Sequence, residues 1–359
     1  MGTWHIRKFS SSKPSGRYRI HAVTVNDTIY LIGGATDIYH PLADEFITGT
    51  TDPDWRWQNT AEESGGKIYS IGGDYSGTLV SNVNEYDPAT DSWTQKTTLP
   101  TPRKLLMSFQ INGFIHVVGG MDGNNTYLTV HEIYDPSTNT WSSGTPLPTA
   151  RAEGQGESIG GRGYVVGGST SQGNSALLER YDPDTGTWTT LANMPTARRI
   201  CMSFTLNNKL YVAGGDNDTV DTALRTVEVY DPSTGTWSTE TSMPCPRSFG
   251  GGTAALGRGY IIFGWEGTAG RDGSILEFVP DFTTLSGTVY DENGNPAGGI
   301  TVVAWAQWLP SSTLCYTTSG TDGSFSIDVP GSAVSGWDKM VVLAWPDTDG
   351  VPGSIRVNI

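Results

Sequence analysis

The sequence predicts an all-β chain in which six four-stranded units close into a ring and a separate antiparallel β-sandwich follows. Three observations predict it. Short motifs recur about every 47 residues through the first 280 positions. No stretch sustains apolar residues at the three- and four-residue spacing of a helix. Near Pro280 the repeat stops and a different strand-and-turn pattern begins.

Composition fits this class and excludes others. The 359 residues include 46 Gly and 20 Pro, together 66, or about 18%, against roughly 12% in average proteins. Twelve Trp, fifteen Tyr and ten Phe are too many aromatics for a disordered chain. With 22 basic and 37 acidic residues the net charge is −15, a surface that repels nucleic acid and anionic membranes. The longest apolar runs, such as 341–345, fall far short of the ~20 residues that cross a bilayer, so membrane insertion is not expected. Residues 1–8 lack the apolar core of a signal peptide. Cys201, Cys245 and Cys315 have no CxxC spacing, which argues against a zinc ribbon or redox dithiol. A Cys201–Cys245 bridge is conceivable, but free buried thiols fit better.

The first motif is an apolar run ending in a glycine pair, at 29–34 (IYLIGG), 68–73 (IYSIGG), 115–120 (IHVVGG), 163–168 (GYVVGG) and 210–215 (LYVAGG). A degenerate sixth copy, 260–265 (YIIFGW), is read as lacking the second glycine. The second motif is Tyr-Asp-Pro at 86–88, 134–136, 181–183 and 230–232, each followed by a turn and then Trp93, Trp141, Trp188 or Trp237. Asp-Pro before Ser, Thr, Asn and Gly forces a chain reversal between two strands. The third is an arginine after each Trp strand, at Arg17, Arg56, Arg103, Arg151, Arg198 and Arg247. These phased residues resemble the kelch family, and the resemblance covers residues 1–280. It implies a six-bladed β-propeller of four-stranded blades, with the first repeat shortened by about nine residues.

The two ends of the repeat predict how the ring closes. The sixth copy has no Trp strand after 275–278, while Gly2-Thr3-Trp4 followed by Pro14 and Arg17 parallels Gly235-Thr236-Trp237 followed by Pro244 and Arg247. Residues 4–8 are therefore expected to form the outer strand of the last blade, which removes open sheet edges. Beyond the ring, SGTVYDENGNPAGGITVVAW and TTSGTDGSFSIDVPG alternate apolar and polar residues around Asn-Gly and Asp-Gly turns. Residues 284–359 resemble the carboxypeptidase regulatory-like, transthyretin-like β-sandwich. That resemblance implies a spacer or docking unit without peptidase activity.

Candidate chemistry is sparse. The glycine pairs lack a following helix and Gly-Lys-Ser/Thr, so they suit backbone turns at a blade edge rather than phosphate binding. The Tyr-Asp-Pro…Trp runs differ from sialidase Asp boxes in the Gly-to-Trp spacing, and their repetition makes them scaffold, with each Trp packing between blades. The repeated arginines either bridge blades through backbone carbonyls or bind a ligand carboxylate or sugar. Two residues after each stands a variable position: Arg19, Gln58, Leu105, Glu153, Ile200 and Phe249. That set is expected to open one end of the channel, beside loops at 120–129, 169–176 and 216–223.

The five histidines show no HxH or HExxH spacing, and no G-x-S-x-G elbow is present. The tyrosine–cysteine crosslink and paired histidines of galactose oxidase, another kelch-type propeller, are not found. Oxygen-rich runs at 216–221 and 347–350 could take calcium, but neither completes an EF-hand loop, and no cofactor or metal is expected.

These observations favour a non-enzymatic extracellular or virion-surface adhesion protein, with a protein or glycan as ligand and multimeric surface assembly within its scope. The alternative is a carbohydrate-active or oxidative enzyme with its site in the channel mouth. Display at a surface would need either a leader removed from the chain or export without one, as for virion components.

Overall fold

The computed structural model describes residues 2–7, 19–217, 223–266 and 273–280, together with the backbone of six further strands toward the C-terminus. Six four-stranded antiparallel sheets build a propeller. Blade 1 runs from His21–Val25 to Glu45–Thr48, blade 2 from Thr60–Ser64 to Ser92–Lys96, and blade 3 from Met107–Ile111 to Thr140–Ser143. Blade 4 runs from Gln155–Ile159 to Thr187–Thr190 and blade 5 from Met202–Leu206 to Thr236–Glu240. Blade 6 takes Gly251–Ala255, Arg258–Ile262 and Ile275–Val279 from one end of the repeat and its outer strand, Thr3–Arg7, from the other. The expected closure by the N-terminal strand is thus present.

Each blade folds for the same local reasons. In the turns, the Asp87, Asp135 and Asp231 carboxylates accept the backbone N–H two residues on at 2.9 Å, a local bond that fixes the reversal. The turn sets register, so each motif tyrosine lies opposite its tryptophan: Tyr86↔Trp93, Tyr134↔Trp141, Tyr181↔Trp188 and Tyr230↔Trp237. Blade 1 lacks the motif yet keeps the pairing as Tyr39↔Phe46. Its missing residues are the loop between the second and third strands. There Gly34 alone connects Thr28–Gly33 to Ala35–His40, whereas blade 2 spans 72–82.

The core consists of clusters that straddle blade interfaces rather than one central mass. Met202 and Phe204 of blade 5 pack with Ile261, Leu276 and Phe278 of blade 6, and Trp4 lies against them. The tryptophans also tie blades by hydrogen bonds, since each indole donates to a carbonyl just past the outer strand of the preceding blade. The distances are 2.8 Å for Trp93 to Thr50, 3.1 Å for Trp141 to Thr97, 2.9 Å for Trp188 to Thr145 and 2.8 Å for Trp237 to Ala192. Trp4 does the same to Thr241 at 2.8 Å, so it is the tryptophan of blade 6 in contact as well as in sequence. Arg7 adds a bidentate bond to Glu277, at 2.8 and 2.9 Å.

One reading of the repeat is corrected. In the sixth copy the missing glycine is the first of the pair, because Phe263 takes the left-handed place of Gly72 or Gly214, and Gly264 the place of Gly73 or Gly215. The second position tolerates no side chain. A Cβ on Gly73 would lie 2.5 Å from the Trp57 carbonyl oxygen, and one on Gly264 would lie 2.7 Å from that of Ser248. The first position is also crowded elsewhere, since a Cβ on Gly119 or Gly214 would fall 2.4 or 2.2 Å from the Arg151 or Arg247 carbonyl oxygen, but in blade 6 Phe263 takes it with a φ of 57°.

The chain divides into a propeller unit, Trp4–Phe278, and a second unit of Met1–Thr3 and Val279–Ile359. In the second unit, Phe282–Tyr290 pairs with Ser324–Pro330 and Arg356–Asn358. Ile300–Ala306 pairs with Cys315–Thr318 and Met340–Pro346, making two three-stranded antiparallel sheets.

Closure through the N-terminal strand predicts that Trp4→Ala costs roughly 2–4 kcal/mol, the range for truncating a large aromatic in a packed interface. Deleting residues 2–7 should lower the thermal midpoint further. A circular-dichroism melt unchanged by the deletion would contradict the closure.

Candidate functional site

Antiparallel alternation places the linkers between blades and the second-to-third-strand loops on one face of the ring, with the tight hairpins on the other. The described site residues singled out in the sequence belong to the first face. Arg56, Arg103, Arg151, Arg198 and Arg247 have side chains no more than 1% exposed, so they are part of the scaffold; Arg17 lies outside the described residues. Burying guanidinium requires charge and hydrogen-bond partners. Carboxylates on the third strand supply the charge, pairing Arg103 with Glu132 at 2.5 Å, Arg151 with Glu179 at 2.9 Å and Arg198 with Glu228 at 2.6 Å. Arg56 uses Asp52 and Arg247 uses Glu266. Second-strand carbonyls accept further N–H groups, such as Ser70 from Arg56 at 2.8 Å, Val117 from Arg103 at 3.0 Å and Val165 from Arg151 at 2.9 Å.

The arginine backbone bridges to the preceding blade. The carbonyls of Arg103, Arg151, Arg198 and Arg247 accept the N–H of Gly73, Gly120, Gly168 and Gly215 at 2.8–2.9 Å. This joins two recurring elements of the repeat, the second glycine and the arginine, in one contact at each of these four interfaces.

Two residues on, the variable positions form a ring. Arg19, Gln58, Leu105, Glu153, Ile200 and Phe249 all have positive φ, between 44° and 62°. At every position but Gln58 the left-handed turn points the N–H at the carbonyl of its counterpart in the preceding blade. Arg19 donates to Phe249 at 2.7 Å, Phe249 to Ile200 at 3.1 Å, Ile200 to Glu153 at 2.8 Å, Glu153 to Leu105 at 3.1 Å and Leu105 to Gln58 at 2.8 Å. These six residues line a cleft of about 70 Å³ at the channel end, so the structure brings the whole variable set together as expected. Arg19 lies over the Phe249 ring at 5.2 Å. The Gln58 amide accepts from Arg19 Nη1 at 2.9 Å and donates to Asp74 Oδ1 at 3.2 Å. Across the mouth, Glu153 accepts from Ser169 Oγ at 2.7 Å and faces Arg199 at 3.6 Å, which in turn meets Asp216 at 3.4 Å. The mouth therefore offers both charges, an amide and apolar faces within one rigid frame.

Sequence reasoning expected a channel but not its lining, a cavity of about 380 Å³ bordered by the inner strands. One inner-strand register position carries Glu62, Glu157 and Thr253 in blades 2, 4 and 6, but Val23, Phe109 and Phe204 in blades 1, 3 and 5. Each polar member bonds to a hydroxyl of the next blade: Glu62 to Ser108 at 2.7 Å, Glu157 to Ser203 at 2.7 Å and Thr253 to Thr24 at 2.8 Å. Room for Phe109 and Phe204 comes from glycine, since a Cβ on Gly163 or Gly259 would fall 2.1 or 2.3 Å from those rings. Withdrawal from solvent pushes the Glu62 carboxyl up to about 8 and Glu157 up to about 7. The signal was available as a second period, with Glu62 and Glu157, or Ser108 and Ser203, about two repeats apart.

The fold also joins two histidines that showed no motif. His131 Nδ1–H donates to the Thr145 carbonyl at 2.9 Å, leaving Nε2 to accept from His116 Nδ1–H at 2.9 Å. Burial lowers His116 to about 3, with its neighbour adding to the effect, and lowers His131 to about 4. With His116 stacked on Phe109 at 4.9 Å, this buried pair is core. Cys201 is buried and Cys245 half-buried, both as free thiols. Among the described residues no group of three or more His, Cys, Asp or Glu could hold a metal. The oxygen-rich run at 216–221 is described only at Asp216 and Asn217, and the run at 347–350 lies outside the described residues.

Blades that carry glycine pair, tyrosine, tryptophan and linker arginine in these contacts define a kelch-type propeller. The chain belongs to the kelch-repeat family, with residues 58–265 matching the KLHDC2/KLHL20/DRC7 Kelch-repeats domain. Among solved structures it is similar to that titled "Structure of YjhT", with a TM-score of 0.66 and 17% identity, covering 74% of this chain and 95% of the other. At that identity the likeness concerns the fold. No curated protein sequence matches the chain.

Two measurements check this account. Arg151→Met should destabilise by about 3–5 kcal/mol, because it leaves Glu179 buried and unpaired, and adding Glu179→Leu should restore most of the loss. Denaturant titration would show it, and a single variant as stable as wild type would contradict it. Glu62 has a folded pKa raised above its ordinary value of 4.5, so its contribution is fully present below 4.5 and is lost as pH rises toward 8. Glu62→Gln should therefore raise the thermal midpoint at pH 8 more than at pH 5, and equal shifts at both would contradict the burial argument.

Proposed function

We propose that the chain is a non-enzymatic binding protein, displayed at an extracellular or virion surface, whose channel mouth recognises a protein or a glycan. The observation that carries this reading is the ring of six left-handed residues, joined by five backbone hydrogen bonds between blades. Every copy shares its backbone, yet its side chains differ in every copy, which is the pattern of a scaffold presenting a variable contact set. Kelch propellers generally mediate protein–protein interaction, and a net charge of −15 steers away anionic partners. The segment 284–359, with its transthyretin-like resemblance, serves as spacer or anchor, and multimeric assembly at the surface is part of the same proposal.

A second reading has one observation in its favour. Glu62 and Glu157, raised to about 8 and about 7 inside the channel, could exchange protons near neutral pH, as a carbohydrate-active enzyme requires. Turnover of an oligosaccharide lost in both Glu62→Gln and Glu157→Gln would favour it.

The binding reading is tested at the mouth. Arg19→Gln and Glu153→Gln should each weaken binding at least tenfold on a glycan and surface-protein array, with melting within about 2 °C of wild type. A ligand indifferent to both changes would contradict it.

A further inference from the structure

The exposed large apolar side chains on the mouth face are all aromatic, among the described residues: Trp55 at 50%, Trp57 at 42% and Tyr75 at 55%. Their placement follows from two departures of blades 1 and 2 from the repeat. Blade 1 has only Gly34 where the other blades carry a loop, which leaves a notch in the rim. Trp55 lies over that glycine, whose Cβ would fall 3.0 Å from the indole. Blade 2 has Asn84 where blades 3–5 have Glu132, Glu179 and Glu228, and the arginine's carboxylate partner has moved into the linker as Asp52.

That exchange braces the linker. Asp52 pairs with Arg56 at 3.4 Å and accepts from Asn84 at 2.5 Å, while Asp54 accepts from Asn82 at 2.6 Å. Exposure alternates along the segment, with Asp52 and Arg56 buried and Pro53, Trp55 and Trp57 exposed. The two indoles thus share the outward side. Trp57 exchanges both backbone hydrogen bonds with Asp74, at 2.9 and 2.8 Å, so the loop strand that carries Tyr75 is tied to this linker.

We infer that this notch is a subsite for a neutral saccharide, an inference that rests on the mouth being the binding face. Flat indole and phenol surfaces carry a negative π face that attracts the C–H face of a pyranose. The Gln58 amide and the Asp54 carboxylate beside them supply the hydrogen bonds a hydroxyl needs. A protein partner would be met by mixed aromatic and aliphatic surface, whereas exposed Leu42 belongs to the opposite face. The overall charge of −15 disfavours uronate, sulfated or other anionic glycans.

The test uses the full chain and an array of neutral hexose and N-acetylhexosamine oligosaccharides, followed by intrinsic tryptophan fluorescence titration with each hit. Trp55→Ala/Trp57→Ala should weaken saccharide binding at least tenfold, and Trp57→Tyr should retain a measurable part of it. Wild-type binding that is unchanged in the double variant yet lost in Glu153→Gln would overturn the aromatic subsite and leave the mouth reading standing. Absence of wild-type binding to every neutral oligosaccharide would overturn the subsite as well, while a protein ligand sensitive to Arg19→Gln would keep the mouth. A double variant that melts more than about 5 °C below wild type is replaced by the single Trp57→Ala, read against the same outcomes.

Discussion

At four blade interfaces one hydrogen bond, from the second glycine of a blade to the carbonyl of the arginine entering the next, fixes how neighbouring blades meet. The glycine must lack a side chain because backbone atoms already occupy that space, as at Gly73 beside Trp57 and Asn59. The arginine must be held still for its carbonyl to serve, and a buried carboxylate such as Glu132 or Glu179 holds it. Removing either partner leaves a charge without solvent or counterion, which is why the pair recurs in nearly the same form around the ring. The left-handed residues two positions on inherit this geometry, and the channel mouth is its consequence.

The same scaffold explains where variation is tolerated. The backbone of the mouth ring is committed to hydrogen bonding between blades, so its side chains are free to differ, from Arg19 to Ile200. In the channel, alternation over two blades divides the inner strands between packing and polarity. Phe109 and Phe204 press against glycines, while Glu62 and Glu157 face a cavity and bond to serine hydroxyls. Blade 2 departs furthest, exchanging a strand glutamate for Asn84 and a linker aspartate, and the linker so braced is the one that carries exposed tryptophans.

Most of the propeller was legible in the sequence because its determinants are local. Turn chemistry at Asp87 or Asp231 acts over two residues, and the Tyr-to-Trp register follows from the turn. Ring closure was legible because Trp4 repeats the surroundings of Trp237. The degenerate sixth motif was misread by one position, since letters alone do not show which glycine of the pair a larger residue can replace, as Phe263 and Gly264 show. The arginines left two roles open until their burial and partners were known. The carboxylate–serine pairs and the His116–His131 pair join residues of different strands or blades, and that proximity belongs to the fold rather than to spacing.

Amide hydrogen exchange tests the central claim, that bonds between blades rather than side-chain contacts shape the mouth. The N–H groups of Leu105, Glu153, Ile200 and Phe249, though they lie in linkers, should exchange only with global unfolding, as slowly as the inner strands. Exchange at the rate of exposed loops would mean that the ring opens on its own, and would contradict the account.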